Sequence, residues 1–400
     1  MKILQINCVY AVGSTGRILE DISKYCTSHK NEVLNLYGRR GKNITSNVIK
    51  VSSEIEAKIH SAMSLLTGLD FGWSPFATKN VISIIESYKP SVVHLHCLNG
   101  HFINVYRLLN YLKKNNIPTV LTLHAEIMHT AGCEHAYECK KWITGCYDCK
   151  NIKGYITRYF RDDAKYAYEK MREAFSGFTN LFVVGVSEWL TNRARQSSIF
   201  SNSNAEFLTI ENGLDLKDFH PIDLNDNPLG KSNNIKEKAI ILHVTPNFNH
   251  PLKGGKYVLE LAKIHPEWTF YIVGYNGDEI LPQNVITIPN TQNKKELSWY
   301  YNIANVTLLT SKRETFSMVC AESLACGTPI VGFEAGGPES VFKGEYVKFT
   351  EFGNINALDA AVSKMLDNKT KINTTLIHKR FGSDIMAEKY LNLYRSIVSR

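Results

Sequence analysis

The sequence predicts an α/β protein with two domains, each built on a parallel sheet. Four hundred residues, of which 44% are apolar, exceed what one hydrophobic core usually supports and are enough for two. Short β-branched runs alternate with longer segments of helical period, as in parallel strands joined by helices. A polar stretch at 214–238 divides the strand candidates into two sets. These observations favour two open sheets that face a central cleft.

The elements follow in chain order from β-branched runs and from apolar residues at helical spacing. A final amphipathic helix at 385–400 is expected to pack back toward the first domain. We expect the domains to span 1–218 and 219–384, with the polar stretch as linker and irregular entry to the second domain. The predicted strands are 2–7, 32–37, 92–97, 119–124, 181–187 and 206–212, then 239–245, 269–274, 285–289, 306–311 and 329–334.

Charge and hydropathy exclude several classes of protein. The net charge of +8 is spread along the chain without a basic stripe interleaved with aromatics, which argues against a nucleic-acid-binding protein. An anionic ligand or a membrane surface suits it better. The chain shows no export signal and no run near the roughly 18 apolar residues of a membrane-spanning helix. We expect a cytoplasmic protein, and peripheral contact with the inner face of the cytoplasmic membrane stays open.

A glycine-rich turn follows the first predicted strand at once and opens a helix. Its amides could meet a phosphate or a sugar hydroxyl, although a plain tight turn explains it equally well. The turn lacks the third glycine of the dinucleotide fingerprint, and the second strand offers no carboxylate for a ribose, so nicotinamide binding is not expected. The residues concerned are Gly13, Ser14, Thr15 and Gly16.

Two glutamates lie eight positions apart late in the chain, one before and one inside a predicted helix at 316–327. At a rise of about 1.5 Å per residue, a fully helical stretch would separate them by roughly 12 Å, near the length of a sugar diphosphate. The amides of Phe316, Ser317 and Met318 would form an anion site at the positive helix end. Alternatively, Glu314 only caps the first turn and Glu322 is a solvated helix residue.

This pattern resembles the E-x7-E signature of retaining glycosyltransferases of family four, which have the GT-B fold of two Rossmann-like domains. The matching residues are Glu314, Phe316, Glu322, Ala325, Cys326, Gly327 and Pro329. Thr315 and Ser317 replace the usual glycines, so the backbone is less permissive there. The resemblance continues through "LTLHAE", "VGVSEWL", "IENGLDLKDFHP" and "HPLKGGKYVLELA". The arginine that usually precedes the Lys-Gly pair is absent, with Pro246 or Asn247 near its place.

The resemblance implies a role for each matching residue. Glu322 would bind the ribose, Glu314 would contact the donor sugar or phosphates, and Lys253 would neutralise the diphosphate leaving group. The catalytic candidates are His124, Glu314 and Lys253. The donor-binding candidates are Gly16, Lys253, Gly254, Glu314, Thr315, Phe316, Ser317, Met318 and Glu322, and the acceptor-side candidates are Gly13, Ser14, Thr15, Ser187 and Glu188. His124 also has a plain interpretation, as a strand-end histidine that bonds backbone groups.

The implied reaction moves a hexose from a UDP- or GDP-sugar with retention at the anomeric carbon. The sequence carries no Asp-x-Asp motif, in agreement with catalysis that needs no metal. The resemblance to polysaccharide-building enzymes implies a lipid-linked capsular or exopolysaccharide acceptor. A GT-B epimerase, an inverting transferase and a non-catalytic two-lobed sugar- or nucleotide-binding protein remain as alternatives.

Four closely spaced cysteines mark an insertion at 129–151. The chain has nine cysteines, an odd number that argues against a disulfide framework in a reducing compartment. Four thiolates this close could hold a structural zinc ion, and His129 and His135 are spare ligands; a loop of reduced thiols is the alternative. The proposed ligands are Cys133, Cys139, Cys146 and Cys149. The segment resembles an insertion of some family-four enzymes, from which Ala125 and Met128 depart.

The acceptor is specified only weakly. A helical apolar stripe near Trp73 and Phe76 would suit a membrane-facing lip for a lipid-linked acceptor, or it could simply be core.

Overall fold

The computed structural model describes residues 1–149, 163–224, 239–291, 293–367 and 372–400. Contacts divide them into two units, Met1–Glu211 with Met386–Arg400 and Asn212–Ile385. This boundary lies before the expected one at 218. The reason is that Leu214 belongs to the second unit, where its N–H donates to Phe381 O and its carbonyl accepts from Ser383 N–H. Residues 150–151 of the predicted insertion and 225–238 of the predicted linker lie outside the described ranges.

The first unit is built on a seven-stranded sheet in which every pair of neighbours is parallel. The central strands are buried along their whole length, so they read as continuous apolar runs rather than as alternating ones. The spatial order is β3-β2-β1-β4-β5-β6-β7. The strands are β1 (Lys2–Asn7), β2 (Glu32–Tyr37), β3 (Val48–Lys50), β4 (Val92–Leu95), β5 (Thr119–Leu123), β6 (Leu181–Gly185) and β7 (Glu206–Thr209).

Helices connect these strands, and several begin at a side-chain cap. Ser53, Asn104 and Ser187 each accept a backbone N–H of the first helical turn, which satisfies one of the amides that helix geometry leaves open. The helices are α1 (Gly13–Ser28), α2 (Glu54–Thr67), α3 (Pro75–Tyr88), α4 (Val105–Lys114), α5 (Ile127–Thr130), α6 (Ala164–Phe175) and α7 (Glu188–Gln196).

The second unit has a six-stranded parallel sheet in the order β10-β9-β8-β11-β12-β13. Its strands are β8 (Ile240–Val244), β9 (Thr269–Val273), β10 (Val285–Ile288), β11 (Val306–Leu309), β12 (Ile330–Phe333) and β13 (Val347–Thr350). Its helices are α8 (Gly255–Ile264), α9 (Lys294–Ile303), α10 (Met318–Ala325), α11 (Gly337–Val341), α12 (Ile355–Asp367) and α13 (Thr374–Phe381). The predicted class, two Rossmann-like units with parallel sheets, is confirmed.

The final helix α14 (Ser383–Val398) packs on the first sheet, and from Met386 onward it belongs to the first unit. Its apolar side chains share one core with β1, β4, β5 and α1. Two of its tyrosines reach into the sheet: Tyr390 OH lies 2.9 Å from Thr122 Oγ1, and Tyr394 OH lies 2.5 Å from His94 Nδ1. Chain segments from both ends of the sequence therefore complete the first unit.

Each sheet has one position where the strand order reverses. Strand β1 lies between β2 and β4, and β8 lies between β9 and β11. Loops that leave such a pair diverge to opposite sides of the sheet, and ligands of open α/β sheets bind in the crevice that this creates beyond the carboxyl ends. The residues after β1, β4, β8 and β11 are therefore the first to examine.

None of the helices in the described ranges is both long and apolar enough to span a bilayer.

Candidate functional site

The loops after β8 and β11 bring together two of the predicted catalytic residues. Lys253 ends a short 3-10 helix, Pro251–Lys253, in the loop after β8, and Glu314 lies in the loop after β11. Lys253 Nζ is 2.7 Å from Glu314 Oε1, and the two side chains are 30% and 22% exposed. A cation and a carboxylate that stay partly accessible at the strand-order reversal can both reach a polar ligand.

Only a glycine fits next to Lys253. Gly254 has φ of +73°, and a Cβ atom there would lie 2.1 Å from Thr310 O. The Thr310 hydroxyl also donates to Lys253 O at 2.9 Å. The loop after β8 is thus held directly against the end of β11, which is why Lys253 meets Glu314.

The backbone of Glu314 is fixed on its other side by the loop after β12. Glu314 N–H donates to Ala335 O at 3.0 Å, and Gly337 N–H donates to Glu314 O at 2.9 Å. A Cβ atom on Gly337 would lie 2.1 Å from Thr315 O, so this approach also needs a glycine. The carboxylate of Glu314 therefore projects from a rigid backbone.

Helix α10 begins later and ends earlier than the predicted 316–327, and of the three residues whose amides were expected at its start only Met318 lies in the helix. It begins at Met318 rather than 316, so the 12 Å estimate for a fully helical stretch between the glutamates does not apply. Ser317 is the N-cap: its Oγ accepts from Cys320 N–H at 3.3 Å. Helix geometry leaves the amides of Met318 and Val319 without an intrahelical acceptor. These two amides are the ones suited to a phosphate oxygen.

Ser317 and Phe316, just before α10, both have structural roles. Ser317 has φ of +78°, a value that favours glycine, at the position where family-four sequences usually have glycine. The side chain of Phe316 is buried and packs edge-on against Phe342 and Phe381, with ring centroids 5.4 and 6.0 Å away. Phe316 therefore offers a ligand its backbone, while its ring belongs to the core.

Glu322 lies on α10 and is oriented by a residue that the sequence did not single out. Tyr301 OH donates to Glu322 Oε2 at 2.9 Å. Burial, together with the neighbouring carboxylate, raises the pKa of Tyr301 well above its usual value, so the hydroxyl keeps its proton. Tyr301 lies on α9, and nothing in its local sequence marks it as a partner of Glu322.

The missing arginine leaves Lys253 as the cation at this position. The segment 239–291, which contains β8, the loop after it and β9, has no arginine in its sequence. Lysine presents a compact charge, whereas arginine presents a planar fork for two phosphate oxygens. The loop after β8 therefore offers a diphosphate a flexible point charge, which would act beside the α10 amides.

The acceptor-side candidates lie in the first unit and differ in accessibility. Gly13, Ser14 and Thr15 form the first turn of α1, and the first two are exposed. Gly16, a donor-binding candidate in the same turn, is buried, and a Cβ atom there would lie 3.1 Å from Ala11 N, so close packing explains this glycine.

The two acceptor-side candidates at the start of α7 also differ in accessibility. Ser187 is fully buried and its hydroxyl accepts from Leu190 N–H, so it acts as a helix cap. Glu188, the next residue, is exposed.

His124 follows β5 and belongs to a histidine cluster at the carboxyl ends of β4 and β5. His96 Nδ1 is 3.2 Å from His124 Nε2, and the His94 ring lies 3.8 Å from that of His96. His94 and His96 are buried, and burial lowers the pKa of each well below its usual value. Burial also lowers the pKa of His124 to about 4. All three rings are therefore neutral at pH 7.

A second buried polar group follows directly after His124. The Glu126 carboxylate accepts from Arg193 Nε at 2.6 Å and from Ala136 N–H at 2.9 Å, and His129 Nε2 lies 3.5 Å away. Burial alone would raise the pKa of Glu126, but the neighbouring His129 and the Arg193 guanidinium lower it to about 2. The guanidinium also lies 4.4 Å from the Trp142 ring. This group joins α5 and the cysteine-rich segment to α7.

The four cysteines of that segment line one cavity of about 260 Å³, together with Thr130, Trp142 and Tyr147. None of the four forms a disulfide bond in the structure. Across the described part of the chain, no three His, Cys, Asp or Glu side chains are arranged so that they could hold a metal ion. The cysteines thus share a cavity without converging on one point.

Part of the chain is similar in sequence to a known protein family. A sequence profile of the family described as "Glycosyl transferases group 1" matches residues 227–379, which contain Lys253, Glu314 and Glu322. N-acetyl-alpha-D-glucosaminyl L-malate synthase of Bacillus anthracis is 24% identical over 237 residues, which are 54% of this chain and 60% of that protein. The alignment therefore spans less than two thirds of the relative's length.

Solved structures share the fold over nearly the whole chain. Sucrose-phosphate synthase of Thermosynechococcus elongatus has a TM-score of 0.71 at 15% identity, covering 100% of this chain and 99% of its own. HepE of Anabaena, solved in complex with UDP, has a TM-score of 0.67 at 15% identity, with coverages of 99% and 100%. At such identities the similarity is one of fold.

Proposed function

We infer a function from the premise that this chain is a GT-B protein of the glycosyltransferase family-four type, as its motifs predicted. We propose that it transfers a hexose from a nucleotide-sugar donor to a glycan acceptor, with retention at the anomeric carbon. The observation that carries the proposal is the convergence of Lys253, Glu314 and the first turn of α10 at the strand-order reversal of the second sheet. Glu322, which Tyr301 of α9 orients, extends the site along α10.

The proposed roles follow from the chemistry of these groups. The Met318 and Val319 amides and the Lys253 ammonium stabilise the negative charge that the diphosphate gains as its bond to the anomeric carbon breaks. The acceptor hydroxyl forms the new bond on the same face, and its proton passes to the leaving phosphate. Glu322 accepts hydroxyl hydrogen bonds from the ribose, and Glu314 orients the sugar. No residue of this set requires a divalent cation for these roles.

Calorimetric binding of UDP-, GDP-, ADP- and CDP-sugars to the full chain in EDTA tests the donor proposal. We expect one base to bind, and UDP is our first candidate because HepE, of the same fold, was solved with UDP. Binding should weaken in Lys253→Ala and persist in Lys263→Ala, a change on the same unit away from the loops. If no nucleotide-sugar binds, the proposal falls and a non-catalytic two-lobed protein takes its place.

Product configuration separates the retaining reaction from its nearest alternatives. NMR of the transferred sugar should show the donor's anomeric configuration. An inverted product would identify an inverting transferase, and a free epimerised sugar nucleotide would identify a GT-B epimerase.

We propose a lipid-linked acceptor, such as a growing capsular or exopolysaccharide chain, met at the inner face of the cytoplasmic membrane. Support comes from an apolar edge, defined as Ile55, Ile59, Leu66 and Phe76, whose side chains are 74%, 59%, 60% and 78% exposed. At 100° per residue, the three positions on α2 lie within about 40° of one another. Glu56 of α2 accepts from Phe76 N–H at 2.9 Å, which places Phe76 beside the same helix.

We also propose that the cysteine-rich segment binds structural zinc. Its support is the single cavity that Cys133, Cys139, Cys146 and Cys149 line. Because the thiols do not converge in the structure, binding requires the segment to close around the ion, as is usual where metal binding is coupled to folding.

A further inference from the structure

A chain of hydrogen bonds runs through the first unit and includes His124. It begins in the polar interior of the sheet, at Asn35 on β2 and Gln5 on β1, and passes through His96, which follows β4. Asn35, Gln5 and His96 are each 1% exposed or less, whereas His124 is partly exposed. A buried polar side chain is costly unless it is hydrogen-bonded. Each buried member of this chain must therefore donate or accept at the contacts described below.

The orientation of the Gln5 amide is fixed by a partner that can only accept. Gln5 Nε2 donates to Leu19 O at 3.2 Å and to Asn35 Oδ1 at 2.9 Å. A backbone carbonyl has no proton to give, so the amide nitrogen must face it. Asn35 is oriented in turn because its Nδ2 donates to Ser23 Oγ at 2.9 Å. Gln5 Oε1 therefore points to His96 as an acceptor.

This orientation sets the protons on both histidines. Gln5 Oε1 is 3.3 Å from His96 Nε2, which must be the protonated nitrogen because an amide oxygen only accepts. In a neutral imidazole the other nitrogen is then bare, so His96 Nδ1 accepts. His124 Nε2, 3.2 Å from His96 Nδ1, must donate. Neutral His124 consequently carries its proton on Nε2 and has Nδ1 as its acceptor nitrogen.

We propose that Gln5 and His96 are positioning residues that hold His124 in the Nε2–H form, so that it meets a sugar or acceptor hydroxyl through Nδ1 as an acceptor. This inference rests on the proposed sugar transfer. His94 has partners of its own, since its ring nitrogens bond Tyr394 OH and Thr122 Oγ1. An acceptor nitrogen at this position orients a hydroxyl without charging it and favours the loss of its proton to the leaving phosphate.

The direct test is a long-range proton–nitrogen NMR spectrum of the full chain labelled with nitrogen-15 histidine at pH 7.5. The chain has thirteen histidines, and the His124→Asn variant identifies the signals of His124 by their loss. We expect the pattern of a neutral ring protonated at Nε2. A ring protonated at Nδ1, or at both nitrogens, overturns the inference.

Two variants of His96 separate positioning from plain structural support. His96→Asn keeps an acceptor oxygen near the place of Nδ1, whereas His96→Leu keeps bulk and removes the acceptor. In His96→Leu we expect both tautomers of His124 and a loss of about tenfold or more in kcat for hydrolysis of the donor selected by calorimetry. His96→Asn should restore the Nε2–H pattern and most of kcat. Donor affinity should be unchanged in both variants.

The outcomes distinguish this inference from the proposed function. A protein that binds no nucleotide-sugar but shows the Nε2–H pattern rejects the sugar transfer, and with it the substrate role of Nδ1. A protein that binds the donor and keeps the Nε2–H pattern and full kcat in His96→Leu rejects the positioning role alone. Because the variants are compared by spectrum as well as rate, a variant that only unfolds is recognised by collapse of its histidine signals.

Discussion

At the scale of single residues, the candidate donor site is assembled before any ligand enters. Lys253 holds Glu314, and Tyr301 holds Glu322. Each contact restricts a side chain that would otherwise lose rotamer freedom on binding, so part of the ordering cost has already been met by folding. A donor must displace or share these two contacts. The free energy needed to break them is therefore subtracted from the affinity of the site for its donor.

Replacing Glu322 should weaken nucleotide binding. For Glu322→Ala we expect a loss of about 1.5 to 3 kcal/mol, or about 10- to 150-fold in affinity, because a charged acceptor is removed. Tyr301→Phe should cost about 1 kcal/mol, because Glu322 loses only its orienting partner. Calorimetry with UDP measures both. The exposed Glu345→Ala is the control, and unchanged affinity in Glu322→Ala would remove the ribose assignment.

Gly254→Ala should unfold the second unit more easily than a matched change at Gly327. Both glycines have positive φ, +73° and +89°, so both variants carry the strain of a left-handed residue, about 1 kcal/mol. Only at Gly254 does the new Cβ collide with backbone, 2.1 Å from Thr310 O, whereas at Gly327 the nearest atom is 3.6 Å away. Urea titration should show the larger loss for Gly254→Ala, together with weaker donor binding. Equal losses would mean that the loop moves freely.

At the scale of elements, the sequence predicted secondary structure best where the apolar pattern extended over many residues. The predicted strands are present, some shorter than expected, but β3 and β13 were missed. Both are short strands at the outer edges of their sheets, where burial is incomplete and the apolar signal is weak. The sequence also gave no sign of Tyr301 beside Glu322 or of Gln5 beside His96, because tertiary packing alone brings these partners together.

Helix α2 provides a test of membrane contact. Ile59→Ser should reduce co-sedimentation with vesicles that contain anionic lipid by about fivefold, because one exposed apolar side chain no longer enters the interface, about 1 kcal/mol. Ile280→Ser changes an even more exposed isoleucine of the second unit and should have no effect. Equal binding by both variants would rule out the apolar edge as the contact.

The cysteine-rich segment makes a separate prediction about metal content. Elemental analysis of protein purified without chelator should find about one zinc per chain, as expected for a four-thiolate site. Cys146→Ser with Cys149→Ser should abolish it, whereas Cys26→Ser, a buried cysteine outside the segment, should not. A metal-free wild type would leave the segment as a loop of reduced thiols.

At the scale of the whole molecule, buried neutral histidines make stability depend on pH. The folded pKa is lowered to about 4 for His124 in the first unit and for His243 in the second. A histidine in the unfolded chain has a pKa of about 6.5. Between pH 6.5 and pH 4 these histidines are therefore protonated in the unfolded chain but not in the folded one. Their contribution is complete above pH 6.5 and is lost as the pH falls from 6.5 toward 4.

Denaturation in urea at pH 7.5, 6.5 and 5.5 checks this dependence. We expect little change between the first two values and a clear fall at the third, of up to about 1.4 kcal/mol per pH unit for each such histidine. The fall should be smaller in His243→Gln, which removes one of these groups. Stability that is constant down to pH 5.5 would contradict neutral burial.

The packing of α14 on the first sheet determines the order in which a newly made chain can finish folding. Domains usually fold as they leave the ribosome, the N-terminal one first. Here Tyr390 and Tyr394 close the core around Thr122 and His94, yet they are synthesised after the entire second unit. The first unit to emerge is therefore the last to be completed, and the histidines behind His124 reach their final surroundings only when translation has passed the donor site.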